Sequence, residues 1–162
     1  MAALTPRIKA PDFTLKSATG ETLSLKEALS KSPAVLLAFF KVSCPVCQFA
    51  FPYIERIHQN NPTIPVWGVS QDDREATKAF MTMYGCTFPM ALDEQLSSTV
   101  DYDLTNVPTC FLVRADGMIT HTVVGFVKDE LEAVNKQLAA HANADAKPLF
   151  TEADDVPALR PG

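Results

Sequence analysis

Ala34-Val35-Leu36-Leu37-Ala38-Phe39-Phe40-Lys41-Val42-Ser43-Cys44-Pro45-Val46-Cys47 is the stretch that decides the fold. Its first half is an unbroken apolar run of strand length, the pattern of a strand buried on both faces. The next segment carries apolar residues at 46, 49, 50, 53, 54 and 57, the spacing of an amphipathic helix. The cysteines therefore sit at a strand-to-helix turn. Pro45 takes the first helical position, where its missing N–H leaves nothing unpaired, and Cys44 takes the N-cap. There its sulfur faces free backbone N–H groups and the positive end of the helix dipole, which stabilise negative charge on sulfur. Cys47 comes one turn later on the same face, within disulfide reach, so the pair reads as a dithiol that passes between reduced and oxidised forms. Half of a zinc site and a purely structural disulfide are the other readings of a lone CxxC. Cys86 and Cys110 stand singly, without a second CxxC or CxxH to complete a zinc tetrad. A disulfide closing so short a loop adds little stability.

Composition bounds the rest. A chain of 162 residues suits one domain with a real core. Its 47% apolar content argues against disorder, and its longest apolar run is far too short for a membrane helix. A net charge of −5 without a basic block argues against a nucleic-acid surface. The N-terminal Met-Ala-Ala-Leu-Thr-Pro-Arg lacks the apolar centre of a signal peptide, so a cytoplasmic location is expected, with an exported mature form as the alternative; a monomer is expected.

In chain order, residues 1–10 read as a loose lead-in. Asp12 to Leu15 and Thr22-Leu23 form a hairpin around Ser17-Ala18-Thr19-Gly20, and Ser24-Leu25-Lys26-Glu27 is a capping box for a short helix. After the strand 34–40 and the helix 45–60, which contains Pro52, Ile64 to Ser70 reads as a second buried strand. Asp72 with Glu75 starts a helix that Gly85 ends. Phe88 to Leu92 is a short strand, 94–102 a short helix, and Thr109 to Val113 a buried strand. Asp116-Gly117 turns that strand into its antiparallel partner at 118–125. Val127, Leu131, Val134 and Leu138 stripe a last helix. A domain over 1–141 is thus expected, followed by an extended or poorly ordered tail, 142–162, in which Leu149 and Phe150 are the candidate anchors.

This order, with Val107-Pro108-Thr109 before the closing hairpin and helix, resembles the thioredoxin fold: an α/β fold with a central mixed sheet flanked by helices, here with an N-terminal hairpin and helix in front. Ala10-Pro11-Asp12-Phe13-Thr14-Leu15, Gly68-Val69-Ser70, Tyr84-Gly85-Cys86-Thr87-Phe88-Pro89 and Phe111-Leu112-Val113-Arg114-Ala115-Asp116-Gly117 are similar to the redoxin branch. That branch holds TlpA-like thiol–disulfide oxidoreductases and, more distantly, AhpC/TSA peroxiredoxins. The resemblance implies that Cys44 attacks and Cys47 resolves. It implies a cis Pro108 and a Val107 backbone that pairs with an incoming peptide, with Pro45 and Val46 completing the substrate site. The chain departs from thioredoxins in having Ser43 where they have Trp. It has Ala38 and Ala50 where relatives place a buried acid near the second cysteine.

The expected activity is thiol–disulfide exchange with protein thiols and disulfides and with an upstream redox partner. The Cys44–Cys47 disulfide is the redox centre, with no other cofactor and no metal. A thiol-dependent peroxidase is the enzymatic rival. Its peroxidatic cysteine would fall at Cys47, yet positions 44 and 40 hold Cys and Phe where such enzymes have Thr or Ser and Pro. A copper carrier using both thiolates and His121 is a third possibility, opposed by the lack of a histidine near the motif. Cys86 and Cys110 read as buried packing, and His58, His121 and His141 carry no motif of their own.

Overall fold

The computed structural model describes residues 3–162. Strand β3 (Ala34–Phe40) is buried along its whole length. Such a strand has to be covered on both faces and paired on both edges, because its backbone groups meet no water. It pairs in parallel with β4 (Val66–Ser70) and antiparallel with β6 (Thr109–Arg114). Beyond these, β5 (Met90–Leu92) and β7 (Ile119–Val124) complete a mixed five-stranded sheet of order β5-β4-β3-β6-β7.

Alternation along β3 sorts the core into two layers. Leu36, Ala38 and Phe40 face the helices α2 (Pro45–Asn60), α3 (Arg74–Tyr84) and α5 (Lys128–His141), through residues such as Phe51, Phe80 and Val134. Val35, Leu37 and Phe39 face the N-terminal elements: the hairpin β1 (Thr14–Lys16) and β2 (Thr22–Ser24), the helix α1 (Leu25–Lys31), and Tyr102 at the end of α4 (Ser97–Asp101). Both parallel connections, through α2 and α3, lie on the same face, as right-handed crossovers between successive parallel strands require.

The local signals act where the sequence puts them, with four adjustments. Ser24 caps α1 by accepting the Glu27 N–H at 3.3 Å, and Gly85 ends α3 at φ 68°, a left-handed position that costs glycine nothing. The first adjustment is that Asp73, not Asp72, caps α3, accepting the Ala76 N–H at 2.8 Å. The second strand begins at Val66 because Pro65 has no N–H for the ladder. The helix expected over 94–102 is confined to Ser97–Asp101, held by the Asp93 carboxylate on the N–H groups of Ser98 and Thr99. Of the lead-in expected over 1–10, positions 1 and 2 lie outside the described residues. The remainder is not loose: Lys9 bridges Met118, and the Arg7 N–H reaches the Ile119 carbonyl at 2.9 Å, covering the free edge of β7.

The last 21 residues follow α5 as an extended segment, with Leu149 and Phe150 as its anchors. They contain little regular structure, but they are docked. Leu149 is wholly buried, and the Phe150 ring lies 5.1 Å from Tyr53 and 5.8 Å from Phe126. Arg56 of α2 donates to the Leu149 carbonyl and pairs with Asp154 at 2.7 Å, holding the Asp154 carboxyl down to about 2. Further on, β9 (Leu159–Arg160) pairs antiparallel with β8 (Phe126–Val127). The physical reason lies in α2, whose apolar arc extends past the sheet contact to Phe49 and Tyr53. The segment is rich in Asp, Ala and Pro, and the two expected apolar anchors with one ion pair seat it there. Replacing Leu149 with Ala should therefore lower the unfolding free energy in urea by about 2–5 kcal/mol, as for a core leucine. A tail that contributes nothing to the fold would lose no more than about 0.5 kcal/mol.

Candidate active site

The register of β3 with β6 builds the site. Phe39 stands opposite Thr109, so the residues entering β6 arrive where β3 ends and the cysteine loop begins. Val107–Pro108, joined by a cis peptide bond, thus lies beside Cys44. Cys44 occupies the N-cap of α2 with extended backbone, and its Sγ accepts the Cys47 N–H at 3.2 Å. As a thiol, the same sulfur donates to the Val107 carbonyl at 3.5 Å. Pro45 sits at the start of the helix, as expected. Both cysteines are free thiols in hydrogen-bond contact, but their surroundings differ. Cys44 is half-buried and Cys47 is 0% exposed. Burial, reinforced by the adjacent Cys44 sulfur, raises the Cys47 thiol well above its ordinary range, although the Lys41 backbone N–H works against this.

The loop between strand and helix is clamped at Val42. Its N–H donates to the Asp72 carboxylate at 2.8 Å, and its carbonyl accepts from the Gln48 side-chain amide at 2.9 Å. Ser70 in turn accepts the Asp72 N–H at 3.1 Å and bonds Thr77 at 2.7 Å. Sequence reasoning takes Asp72 for a helix start and passes over Gln48. The available signal is the Asp72-Asp73 pair, since only one of two successive aspartates can be the N-cap. Ala38 and Ala50 lie in the same buried cluster as Cys47, and among the described residues no carboxylate acts on its thiol.

The other cysteines and histidines fall elsewhere. Burial pushes Cys86 and Cys110 up to about 12. His121 lies on β7 against Thr120, its pKa lowered by burial and by neighbouring His141. Among the described residues no three His, Cys, Asp or Glu side chains are grouped as metal ligands. Nor is any helix among them long and apolar enough to cross a membrane. A cavity of about 460 Å³ is lined by Lys9, Asp12, Lys26, Leu29 and Gly117 among others, with no cysteine in its wall.

The model of the AhpC/TSA family matches residues 6–122, which span both cysteines and the Val107–Pro108 loop. The chain belongs to the AhpC/TSA family. The chain is 31% identical over 130 residues to the thioredoxin-like protein YneN of Bacillus subtilis, covering 76% of this chain and 75% of YneN. It is 27% identical over 134 residues to the thiol–disulfide oxidoreductase ResA of Bacillus anthracis, covering 80% of this chain and 76% of ResA. A structure from Chlorobium tepidum, provisionally assigned as a thiol:disulfide interchange protein DsbE, superposes with a TM-score of 0.75 at 26% identity, covering 86% of this chain and 99% of that one. The fold of this AhpC/TSA member is the thioredoxin fold. Its thiols should differ sharply in reactivity: iodoacetamide at about pH 7.5 should label Cys44 first, because only the thiolate reacts and the other three thiols are buried. Peptide mapping after brief exposure checks this, and first labelling of Cys47, Cys86 or Cys110 would contradict the geometry.

Proposed function

We propose that this protein exchanges its Cys44/Cys47 dithiol and disulfide with protein substrates, Cys44 attacking and Cys47 resolving. The chain is a thiol–disulfide oxidoreductase, in keeping with relatives of that name. The observation that carries the assignment of roles is the asymmetry of the pair: a cysteine only partly buried at a helix N-cap, with a wholly buried one a turn behind it. In the reducing direction the Cys44 thiolate attacks one sulfur of a substrate disulfide. That disulfide breaks, its second sulfur leaves as thiolate and takes up a proton, and a mixed disulfide with Cys44 remains. Cys47, deprotonated, then attacks the Cys44 sulfur. The substrate leaves as a dithiol, carrying two electrons, and the Cys44–Cys47 disulfide forms. Reversal oxidises a substrate dithiol, and an upstream thiol partner resets the pair. The two sulfurs carry the electrons, so the reaction requires no further cofactor. The Val107 backbone beside the attacking sulfur, with Pro108, Pro45 and Val46, forms the surface against which the substrate lies.

Trapping tests the roles. Cys47→Ser should accumulate a mixed disulfide with a protein disulfide substrate, visible on non-reducing gels, while Cys44→Ser should neither trap nor turn over. Trapping through Cys47 in the Cys44→Ser variant would reverse the assignment. A peroxidase using Cys47 would have to bring peroxide to a sulfur with no exposed surface, so peroxide consumption should be negligible beside disulfide exchange.

The raised Cys47 thiol adds a pH signature. Resolution requires its thiolate, whose fraction at neutral pH falls as the pKa rises. While the thiolate is the minor form, the resolution rate should climb about tenfold per pH unit between about pH 6 and pH 9. Ala50→Glu, which restores a carboxylate on α2, should flatten that climb by raising the rate at low pH, with some stability lost through carboxylate burial. Stopped-flow measurement at matched folded fractions checks both, and a pH-independent wild-type rate would show another base at work.

A further inference from the structure

The end of the tail lies against the site itself. β9 pairs with β8, and the Lys128 N–H donates to the Ala158 carbonyl at 2.9 Å. The chain then passes over Gly125, whose N–H donates to the Pro108 carbonyl at 2.7 Å. Gly125 has φ 77°, and a Cβ there would stand 2.8 Å from the Arg160 carbonyl oxygen and 3.0 Å from the Gly162 nitrogen. Only a residue without a side chain lets the segment settle so close. Gly162 rests on the Val107 carbonyl oxygen, with which any Cβ at 162 would collide. Its own carbonyl accepts from the Asn106 side-chain amide at 3.0 Å. Arg160 lies over the Phe49 ring of α2 at 4.6 Å. The Val107 carbonyl is therefore shared: Cys44 Sγ approaches it at 3.5 Å and Gly162 covers it.

We propose, on the basis of the exchange reaction above, that residues 159–162 occupy the polypeptide half of the substrate groove and select among substrates. An extended peptide reaching the Val107 backbone has to displace this segment, whereas a small disulfide reaches the partly exposed Cys44 without doing so. The grip is graded in a way that suits this role. Leu149 and the Arg56–Asp154 pair anchor the tail within the fold, whereas Leu159 is 58% exposed and the last residues are held by few bonds. Residues 159–162 can thus lift while 149–154 stay seated, and the tether keeps them at high local concentration as an intrachain competitor. Occupancy of the groove lowers the apparent affinity for a polypeptide by the fraction of time that it is free.

The test compares the full chain with a form ending at Ala158 and with Arg160→Ala, using insulin as the polypeptide disulfide and 5,5′-dithiobis(2-nitrobenzoate) as the small one. Removing 159–162 should raise kcat/KM for insulin about five- to tenfold, chiefly through KM, and change it less than about twofold for the small disulfide. Arg160→Ala should give a smaller change in the same direction, and it serves if the shortened form proves unstable in thermal melts. A synthetic peptide of residues 156–162 added to the shortened form should inhibit insulin reduction competitively. An unchanged or lower insulin kcat/KM, or equal gains on both substrates, would overturn the proposal. If neither disulfide is reduced by any form, the exchange reaction itself fails, which is a separate result.

Discussion

The site depends on the end of β3. A strand buried on both faces and paired on both edges cannot shift by one residue without turning its core side chains inside out. Its register with β4 and β6 is therefore the most strongly determined feature of the molecule. That register sets the position of Cys44 at the helix start, of Val107–Pro108 near Phe39, and of Asp72 beside Val42. None of these residues contacts the others by virtue of sequence proximity, apart from the loop itself. The sheet brings three segments to one point, at the carboxyl ends of the parallel strands, where open α/β sheets generally place their sites.

At that point two identical side chains acquire different chemistry. Cys44 lies at the rim, where a backbone N–H and the helix end meet its sulfur. One turn on, Cys47 points into the layer of Ala38, Ala50, Phe51 and Cys110, where a thiolate loses hydration and gains little in return. A nucleophile has to be reachable and a resolving thiol has to be protected from competing disulfides, so the asymmetry suits an exchange reaction. The Val42 clamp contributes by fixing the loop from both backbone sides, through Asp72 and Gln48. The Cys44 sulfur is thereby held at the Val107 carbonyl rather than left to swing.

Much of this is legible in the sequence because it depends on local pattern. The apolar run 34–40, the N-cap cysteine before Pro45, the Ser24 capping box and the Gly85 terminus are each set within a few residues, and each appears where the pattern places it. What escapes notice is set by contacts distant in sequence. Asp72 reads as a helix cap because its partner, Val42, lies 30 residues away across a parallel pair of strands. The tail reads as extended, with Leu149 and Phe150 as its anchors, while their seat on the outer face of α2 and the pairing of β9 with β8 are visible only once the sheet has been assembled. The lead-in is similar: nothing in Arg7 or Lys9 announces that β7 has an edge to cover.

The tail also bears on why α2 is more apolar than a helix with one buried face needs to be. Cys47, Ala50, Phe51, Ile54 and Ile57 already satisfy the sheet. Phe49 and Tyr53 lie to one side, and without the tail they would form an exposed aromatic strip beginning one turn from the reactive sulfur. Such a strip attracts polypeptide without regard to sequence. Covered by Phe150 and Arg160, it is withdrawn from general contact but remains available to a partner able to compete with a tethered segment. The apolar excess on α2 and the docking of the tail are thus one feature. It sets the threshold a polypeptide has to exceed before its disulfide meets Cys44.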